Sequence, residues 1–157
     1  LGVDKISLNS IVKDDVSCIE KFANKFGSQS IIASVDVQKD TKSKYKIYNY
    51  TVDKIIEKDE LIDYLVNIQN YGAGEIIINS VDKDGLMKGI DLDLIIEAKK
   101  VCKIPIIYYG GVGSLNDIKL ALSSNIDAVA CTSFFCFYGK NKSVLITYPY
   151  QELENLK

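Results

Sequence analysis

Residues 72–113 read GAGEIIINSVDKDGLMKGIDLDLIIEAKKVCKIPIIYYGGVG, and this stretch decides the fold. It predicts a strand over 75–78, a polar loop over 79–91, a helix over 92–101, a second strand over 105–108 and a glycine turn over 110–113. Both strands are apolar at nearly every position, which is typical of strands buried on both faces. Two such strands joined by a helix indicate a parallel pair with a right-handed crossover.

The rest of the chain repeats this unit. Further strands are predicted over 5–8, 31–35 and 128–131, with a small β excursion over 45–52. Further helices are predicted from Asp14 or Asp15 to Gly27, from an Asp59 cap to Tyr71, over 115–122, and as a short turn opening at Ser133. The order indicates one α/β domain over 1–157. Spacing alone fits both an open doubly wound sheet and a (β/α)8 barrel.

Composition excludes several classes of function. The chain has 157 residues, 47% of them hydrophobic, with a formal net charge of −2, so neither nucleic acid nor an anionic membrane is an expected partner. No apolar run approaches 18 residues, and we expect a cytoplasmic protein.

The residue types that are missing narrow the chemistry further. The sequence contains neither histidine nor arginine, which removes Ser-His-Asp triads, the usual zinc sites and guanidinium clamps on phosphate. Acid–base work would fall to carboxylates, lysines or tyrosines. The four cysteines show no C-x-x-C spacing, and buried thiols are expected at Cys18, Cys102 and Cys131. We expect no metal and no cofactor.

Small polar residues follow every predicted strand, where ligands of parallel α/β folds bind. In chain order they are Asn9 and Ser10; Asp36; Asn79, Ser80, Asp82, Asp84 and Gly85; Gly110 and Gly111; and Thr132 and Ser133. Gly110 and Gly111 before a helix could seat a phosphate on backbone N–H groups, as could Thr132 and Ser133 with their hydroxyls. Each pair alone could equally be a tight turn or a helix cap, but together on adjacent strands they favour phosphate.

For two acidic segments the sequence leaves more than one role open. Asp36 could cap a turn, or it could act as a general acid or base at the mouth of an apolar barrel. The run from Asp82 to Gly85 fits no EF-hand, so a solvated turn is the expectation.

These motifs together resemble the cyclase subunit of imidazole glycerol phosphate synthase, over nearly the whole chain. The matching segments are Val3-Asp4-Lys5-Ile6-Ser7-Leu8-Asn9-Ser10, Phe26-Gly27-Ser28-Gln29, Val35-Asp36, Gly72-Ala73-Gly74-Glu75-Ile76, Asp82-Lys83-Asp84-Gly85 and Gly110-Gly111-Val112-Gly113. The resemblance implies a (β/α)8 barrel, here a partial one comprising about strands 4 to 8, with the N-terminal part missing.

The resemblance also implies a reaction. Ammonia from a glutaminase partner would close the imidazole ring of a bis-phosphorylated ribulosyl aminoimidazole carboxamide nucleotide, with lyase cleavage, in histidine biosynthesis. Asp36 matches one of two catalytic aspartates. Asn9 and Ser10 match the seat of one substrate phosphate, and Asp84, Gly85, Gly111, Thr132 and Ser133 match the other. The second aspartate has no counterpart, so the chain alone is expected to be inactive.

Three departures from the family pattern leave other functions open. Tyr109 stands where a small residue is usual and would crowd the phosphate seat, and Leu86 replaces an expected threonine. The tail, Phe137 to Lys140 and Val144 to Pro149, resembles a paralogous branch associated with ammonia-dependent amidation of sugars in surface glycans. A further alternative, suggested by the missing N-terminal strands, is an inactive barrel that only binds a partner or a phosphate.

Overall fold

The computed structural model describes residues 2–154, apart from the side chains of residues 57–59. The main sheet contains β1 (Ile6–Leu8), β2 (Ile31–Lys39), β3 (Tyr45–Asn49), β4 (Lys54–Glu60), β5 (Glu75–Ser80), β6 (Ile106–Tyr109) and β7 (Ala128–Ala130). The helices are α1 (Ser10–Asp14), α2 (Cys18–Phe26), α3 (Leu61–Asn70), α4 (Leu92–Lys99), α5 (Leu115–Ser123) and α6 (Ser133–Cys136). A small hairpin, β8 (Phe137–Tyr138) with β9 (Ser143–Val144), and α7 (Tyr150–Glu154) follow.

Five strands of the main sheet are parallel and lie side by side in chain order. β1 pairs with β2, β2 with β5, β5 with β6, and β6 with β7. An unreversed order is typical of a barrel, because a doubly wound sheet reverses its strand order at a switch point. The predicted α/β class is therefore confirmed. Within residues 2–154 no pairing joins β7 to β1, so the partial barrel and the single domain over 1–157 stay predictions.

The core lies between the sheet and its helices. Ile31, Ile76 and Ile106 on neighbouring strands are at most 1% exposed, and α3 buries its predicted face through Leu65 and Ile68. Burial of each such side chain contributes roughly 1.5–3 kcal/mol. Of the predicted buried thiols, Cys18 and Cys102 are buried, whereas Cys131 is half-buried. No helix within the described part of the chain is long and apolar enough to cross a bilayer.

The β3–β4 hairpin makes β2 longer than its apolar run predicts. Beyond residue 35, β2 pairs antiparallel with β3, with Val37 opposite Ile47, so Asp36 lies inside the strand and not at its end. The hairpin is fastened by Asp91, which accepts a 2.7 Å hydrogen bond from the Tyr45 hydroxyl and also caps α4 by accepting from the Leu94 N–H. Burial and this bond to Asp91 raise the pKa of Tyr45.

The helix predicted from Asp14 or Asp15 to Gly27 begins later, as α2 at Cys18, and the short helix α1 that precedes it was not predicted. Asp15 is extended, with φ −148°, and separates α1 from α2. Its carboxylate accepts the Ser17 N–H at 3.0 Å and caps the turn before α2. The predicted cap Asp59 lies outside the described side chains, and Glu60 occupies the N-cap position of α3.

Candidate functional site

Asp36 is the centre of the first half of the candidate site. It is 3% exposed, and three side chains donate hydrogen bonds to its carboxylate. Asn79 donates to Oδ1 at 2.9 Å, while Asn9 at 3.0 Å and Lys13 at 2.6 Å donate to Oδ2. A carboxylate has about four acceptor positions, so roughly one is left, on Oδ1. The buried carboxylate is thus held in one orientation.

Lys13 and Asn9 form the wall on one side of Asp36. The Lys13 side chain is 1% exposed, and its Nζ also donates to Asn9 Oδ1 at 2.7 Å. Asn9 uses its other N–H on Ser34 Oγ at 3.2 Å. The Asn9 amide, predicted to hold phosphate, is therefore committed to protein partners. Ser10 is exposed beside it, with its hydroxyl 3.5 Å from Thr51 Oγ1.

Asn79 connects Asp36 to the second half of the site. Strand register places Asp36 opposite Asn79, and Asn79 opposite Tyr109. The Asn79 Oδ1 atom is buried without a hydrogen-bond partner, and a Cβ added to Gly110 would lie 3.3 Å from it. Buried acceptors are rarely left unpaired in native proteins, so Asn79 marks a position where a ligand donor would be favourable.

Tyr50, on the turn of the β3–β4 hairpin, lies between the two halves. Burial raises the pKa of its hydroxyl, the charges of Asp36 and Asp84 raise the same pKa further, and a hydrogen bond with Asn79 lowers it. The Tyr50 residue is 52% exposed, so the side chain is only partly desolvated. The hydroxyl stays protonated at neutral pH and can donate to a ligand.

The second half is a pocket lined by six residues predicted to bind phosphate. They are Asp84, Gly85, Gly110, Gly111, Thr132 and Ser133, joined by Tyr109 and Met87. The pocket has a volume of about 10 Å³, roughly what one water molecule needs. The Tyr109 hydroxyl lies 3.3 Å from Thr132 Oγ1, and crowding of a bound phosphate by Tyr109 stays a prediction.

Gly110 and Gly111 have a structural reason to be glycine. Both adopt left-handed backbone conformations, with φ of 111° and 83°, which other residues rarely adopt. A Cβ on Gly110 would lie 2.7 Å from the Ser80 carbonyl oxygen, and one on Gly111 would collide with the Gly89 carbonyl oxygen. A tight turn therefore explains both glycines, and their role in phosphate binding stays a prediction.

The acidic loop after β5 is a turn. Asp82 accepts the Lys39 N–H at 2.9 Å, and the Asp84 N–H donates to the Ser80 carbonyl. Within the described residues no three cysteine or carboxylate side chains converge to form a metal site.

Sequence reasoning missed Lys13, Asn79 and Tyr50 as site residues. Asn79 was identified only as one of several polar residues after its strand. Lys13 lies on α1, a short helix that the sequence pattern does not predict, and Tyr50 lies on a hairpin with no assigned function. Only long-range pairing brings these three residues to Asp36.

Comparison with known proteins indicates the same family as the sequence motifs do. The family described as "Histidine biosynthesis protein" matches residues 1–142. A Vibrio vulnificus protein named "Putative imidazole glycerol phosphate synthase subunit hisF3" is 40% identical over 151 residues, which are 95% of this chain and 58% of that protein. A Pseudomonas aeruginosa protein named "Putative imidazole glycerol phosphate synthase subunit hisF2" is 37% identical over 150 residues, 95% of this chain and 59% of its own length.

A Buchnera aphidicola protein named "Imidazole glycerol phosphate synthase subunit HisF" is 40% identical over 139 residues, covering 85% of this chain and 54% of its own length. The chain therefore spans between half and two thirds of the length of these curated relatives.

Proposed function

The chain belongs to the histidine biosynthesis protein family, and on that premise we propose that it serves as a cyclase-type subunit of imidazole glycerol phosphate synthase. In this role it uses ammonia from a glutaminase partner to close the imidazole ring of a bis-phosphorylated ribulosyl aminoimidazole carboxamide nucleotide. Lyase cleavage in the same reaction releases imidazole glycerol phosphate and an aminoimidazole carboxamide ribotide.

One observation carries this proposal: a buried, oriented carboxylate and a pocket of glycines and hydroxyls lie on neighbouring strands of one sheet. Asp36, Asn79 and Tyr109 are consecutive partners across β2, β5 and β6, and Tyr109 lines the pocket with Gly111 and Ser133. An acid–base group beside a phosphate seat is what ring closure on a phosphorylated substrate requires.

The residues divide the work by chemistry. Asp36 transfers protons at the reacting end of the substrate. Ser10 and the backbone near Asn9 seat one phosphate. Gly85, Gly110 and Gly111 offer backbone N–H groups to the other phosphate, and Thr132 and Ser133 offer hydroxyls. Asp84 shapes this loop, because its backbone N–H donates to the Ser80 carbonyl.

The test is turnover by this chain mixed with the part of the Vibrio vulnificus protein that lies outside the aligned region, supplied with an ammonium salt and the bis-phosphorylated substrate and read as imidazole glycerol phosphate. Asp36→Asn should lower kcat by several orders of magnitude, because an amide cannot exchange the proton. Asp63→Asn, an exposed aspartate on α3, is the matched control. A mixture that is inactive with the wild-type chain, or an Asp36→Asn loss below about tenfold, would contradict the proposal.

A second candidate function is ammonia supply for amidation of a sugar in surface polysaccharide biosynthesis. The tail after residue 137 resembles a paralogous branch associated with such amidation, and Tyr109 lines the predicted phosphate pocket beside Thr132. Deletion of the gene should then leave growth without histidine intact and change the surface glycan. A histidine auxotroph would exclude this second function.

A further inference from the structure

We infer that Lys13 is a positioning residue for Asp36: its ammonium holds Oδ2 and leaves Oδ1 as the oxygen that meets the ligand. The inference rests on the proposed function, in which Asp36 does acid–base work. It concerns a lysine that the family resemblance did not single out.

The geometry distinguishes the two oxygens of Asp36. Oδ2 accepts from Lys13 at 2.6 Å and from Asn9 at 3.0 Å, whereas Oδ1 accepts only from Asn79 at 2.9 Å. If the carboxylate turned by 180°, its two oxygens would exchange places while the donors stayed the same. Whichever oxygen faces Lys13 and Asn9 therefore has both of its acceptor positions filled. The oxygen on the Asn79 side keeps one acceptor position, and it lies toward the strand that leads to the phosphate pocket.

Lys13 is itself held in place. Its Nζ lies 2.7 Å from Asn9 Oδ1, one helical turn back along α1, and 6.0 Å from the centre of the Tyr50 ring. The Lys13 and Asp36 side chains are 1% and 4% exposed. Burying an ion pair costs several kcal/mol of desolvation per ion and often gains little stability over apolar packing. A pair kept despite that cost is expected at functional sites.

The experiment measures kcat and KM of the same mixture of this chain and the Vibrio vulnificus part, with saturating ammonium salt and variable phosphorylated substrate. Lys13→Met should lower kcat about 10- to 100-fold, the range expected when a reacting group is misplaced by about 1 Å, while KM changes less than about twofold. Lys13→Arg, which keeps the charge, should recover part of the rate. Lys21→Met, an exposed lysine on α2, is the matched control.

A double variant separates positioning from a general loss of stability. Lys13→Met added to Asp36→Asn should cause no further loss of kcat, because Lys13 acts only through Asp36. This double variant leaves no buried charge without a partner. If Lys13→Met alone fails to fold, the double variant and Lys13→Arg test the role of Lys13 in its place. The inference would be overturned by a wild-type kcat in Lys13→Met or by a Lys13→Arg variant that is no faster than Lys13→Met. A double variant with a lower kcat than Asp36→Asn would also overturn it.

The outcomes also separate this inference from the proposed function. Inactive wild-type protein would overturn both. Active wild-type protein with an inactive Asp36→Asn and a fully active Lys13→Met would overturn the role of Lys13 alone.

Discussion

At the scale of single residues, Tyr109 controls the room available beside the Gly110–Gly111 turn. Its hydroxyl contacts Thr132 Oγ1 at 3.3 Å across the pocket. Tyr109→Ala should open the pocket and tighten the binding of inorganic phosphate several-fold, because the hydroxyl and backbone donors become accessible. Isothermal titration of phosphate into the two proteins measures the change.

The control for this prediction is Tyr138→Ala, which removes an exposed tyrosine of the β8–β9 hairpin and should leave phosphate affinity unchanged. Weaker phosphate binding by Tyr109→Ala would mean that Tyr109 is part of the seat and does not obstruct it.

Single residues also show where sequence reasoning succeeds. The residue that follows a buried strand can be predicted, because the end of an apolar run is visible locally, and this places Gly110, Gly111 and Ser133 correctly in one pocket. The partners of Asp36 could not be predicted in this way. Lys13 and Asn79 lie 23 and 43 positions away in the chain, and only the pairing of β1, β2 and β5 brings them together.

At the scale of elements, the start of α5 fixes the loop that carries the phosphate pocket. Ser114 caps the helix by accepting the Asp117 N–H at 3.2 Å, and Asp117 accepts from the Gly113 N–H at 3.0 Å. This arrangement resembles a capping box, except that Asp117 accepts the N–H of Gly113, the residue before the N-cap. It ties the last glycine of the 110–113 turn to the helix.

Removing this cap should destabilise the protein. Ser114→Ala is expected to lower the free energy of unfolding by about 1 kcal/mol, the usual cost of losing an N-cap, as measured by urea denaturation. Ser123→Ala, at the other end of α5, removes only a hydroxyl bonded to the Leu120 carbonyl and should be nearly neutral. Equal losses of unfolding free energy in the two variants would show that the Ser114 cap contributes no more to stability than the Ser123 hydroxyl does.

The β3–β4 hairpin shows why the length of a strand is hard to predict from the sequence. Alternating residues over 45–52 indicated β structure, and β3 forms there. Its pairing with β2 extends that strand past Asp36 to Lys39, which the apolar run of residues 31–35 could not indicate, because antiparallel partners are chosen by tertiary packing. The same packing places Tyr50 near Asp36.

At the scale of the whole molecule, buried thiols make stability depend on pH. Burial raises the pKa of Cys102 from 9.0 to about 11. Above pH 9 the unfolded chain loses this proton while the folded protein keeps it, so stability is fully present below pH 9 and falls as pH rises toward 11. The loss from this thiol between pH 8 and 10.5 should be about 1–2 kcal/mol.

Urea denaturation at both pH values checks this prediction. Cys102→Ala should show a smaller fall in stability between pH 8 and 10.5 than the wild-type protein. Ile126→Ala, which truncates a buried side chain without an ionisable group, should show the wild-type fall. An unchanged fall in Cys102→Ala would exclude Cys102 as a source of the dependence.

The order of the parallel strands could be predicted only through the family resemblance. Alternating strands and helices fit two architectures equally well, because the pattern fixes the local elements but not the neighbours of each strand. The observed order, β1, β2, β5, β6 and β7 without reversal, favours the barrel. Because these strands are parallel, their carboxyl ends, which the predicted site residues follow, lie at the same edge of the sheet, as the proposed reaction needs.

The last prediction concerns what the 157 residues can do by themselves. Acid and base must approach a bound substrate from different sides, and within the described residues Asp36 is the one buried carboxylate next to the pocket residues through Asn79. We therefore expect no ammonia-dependent turnover from the 157-residue chain, although inorganic phosphate should still bind it.

The matching assay adds, as a separate polypeptide, the part of the Vibrio vulnificus protein that lies outside the aligned region. Turnover that appears only in the mixture, and is abolished by Asp36→Asn, is the expected result. Turnover by the chain alone would show that Asp36 and its neighbours suffice for the reaction.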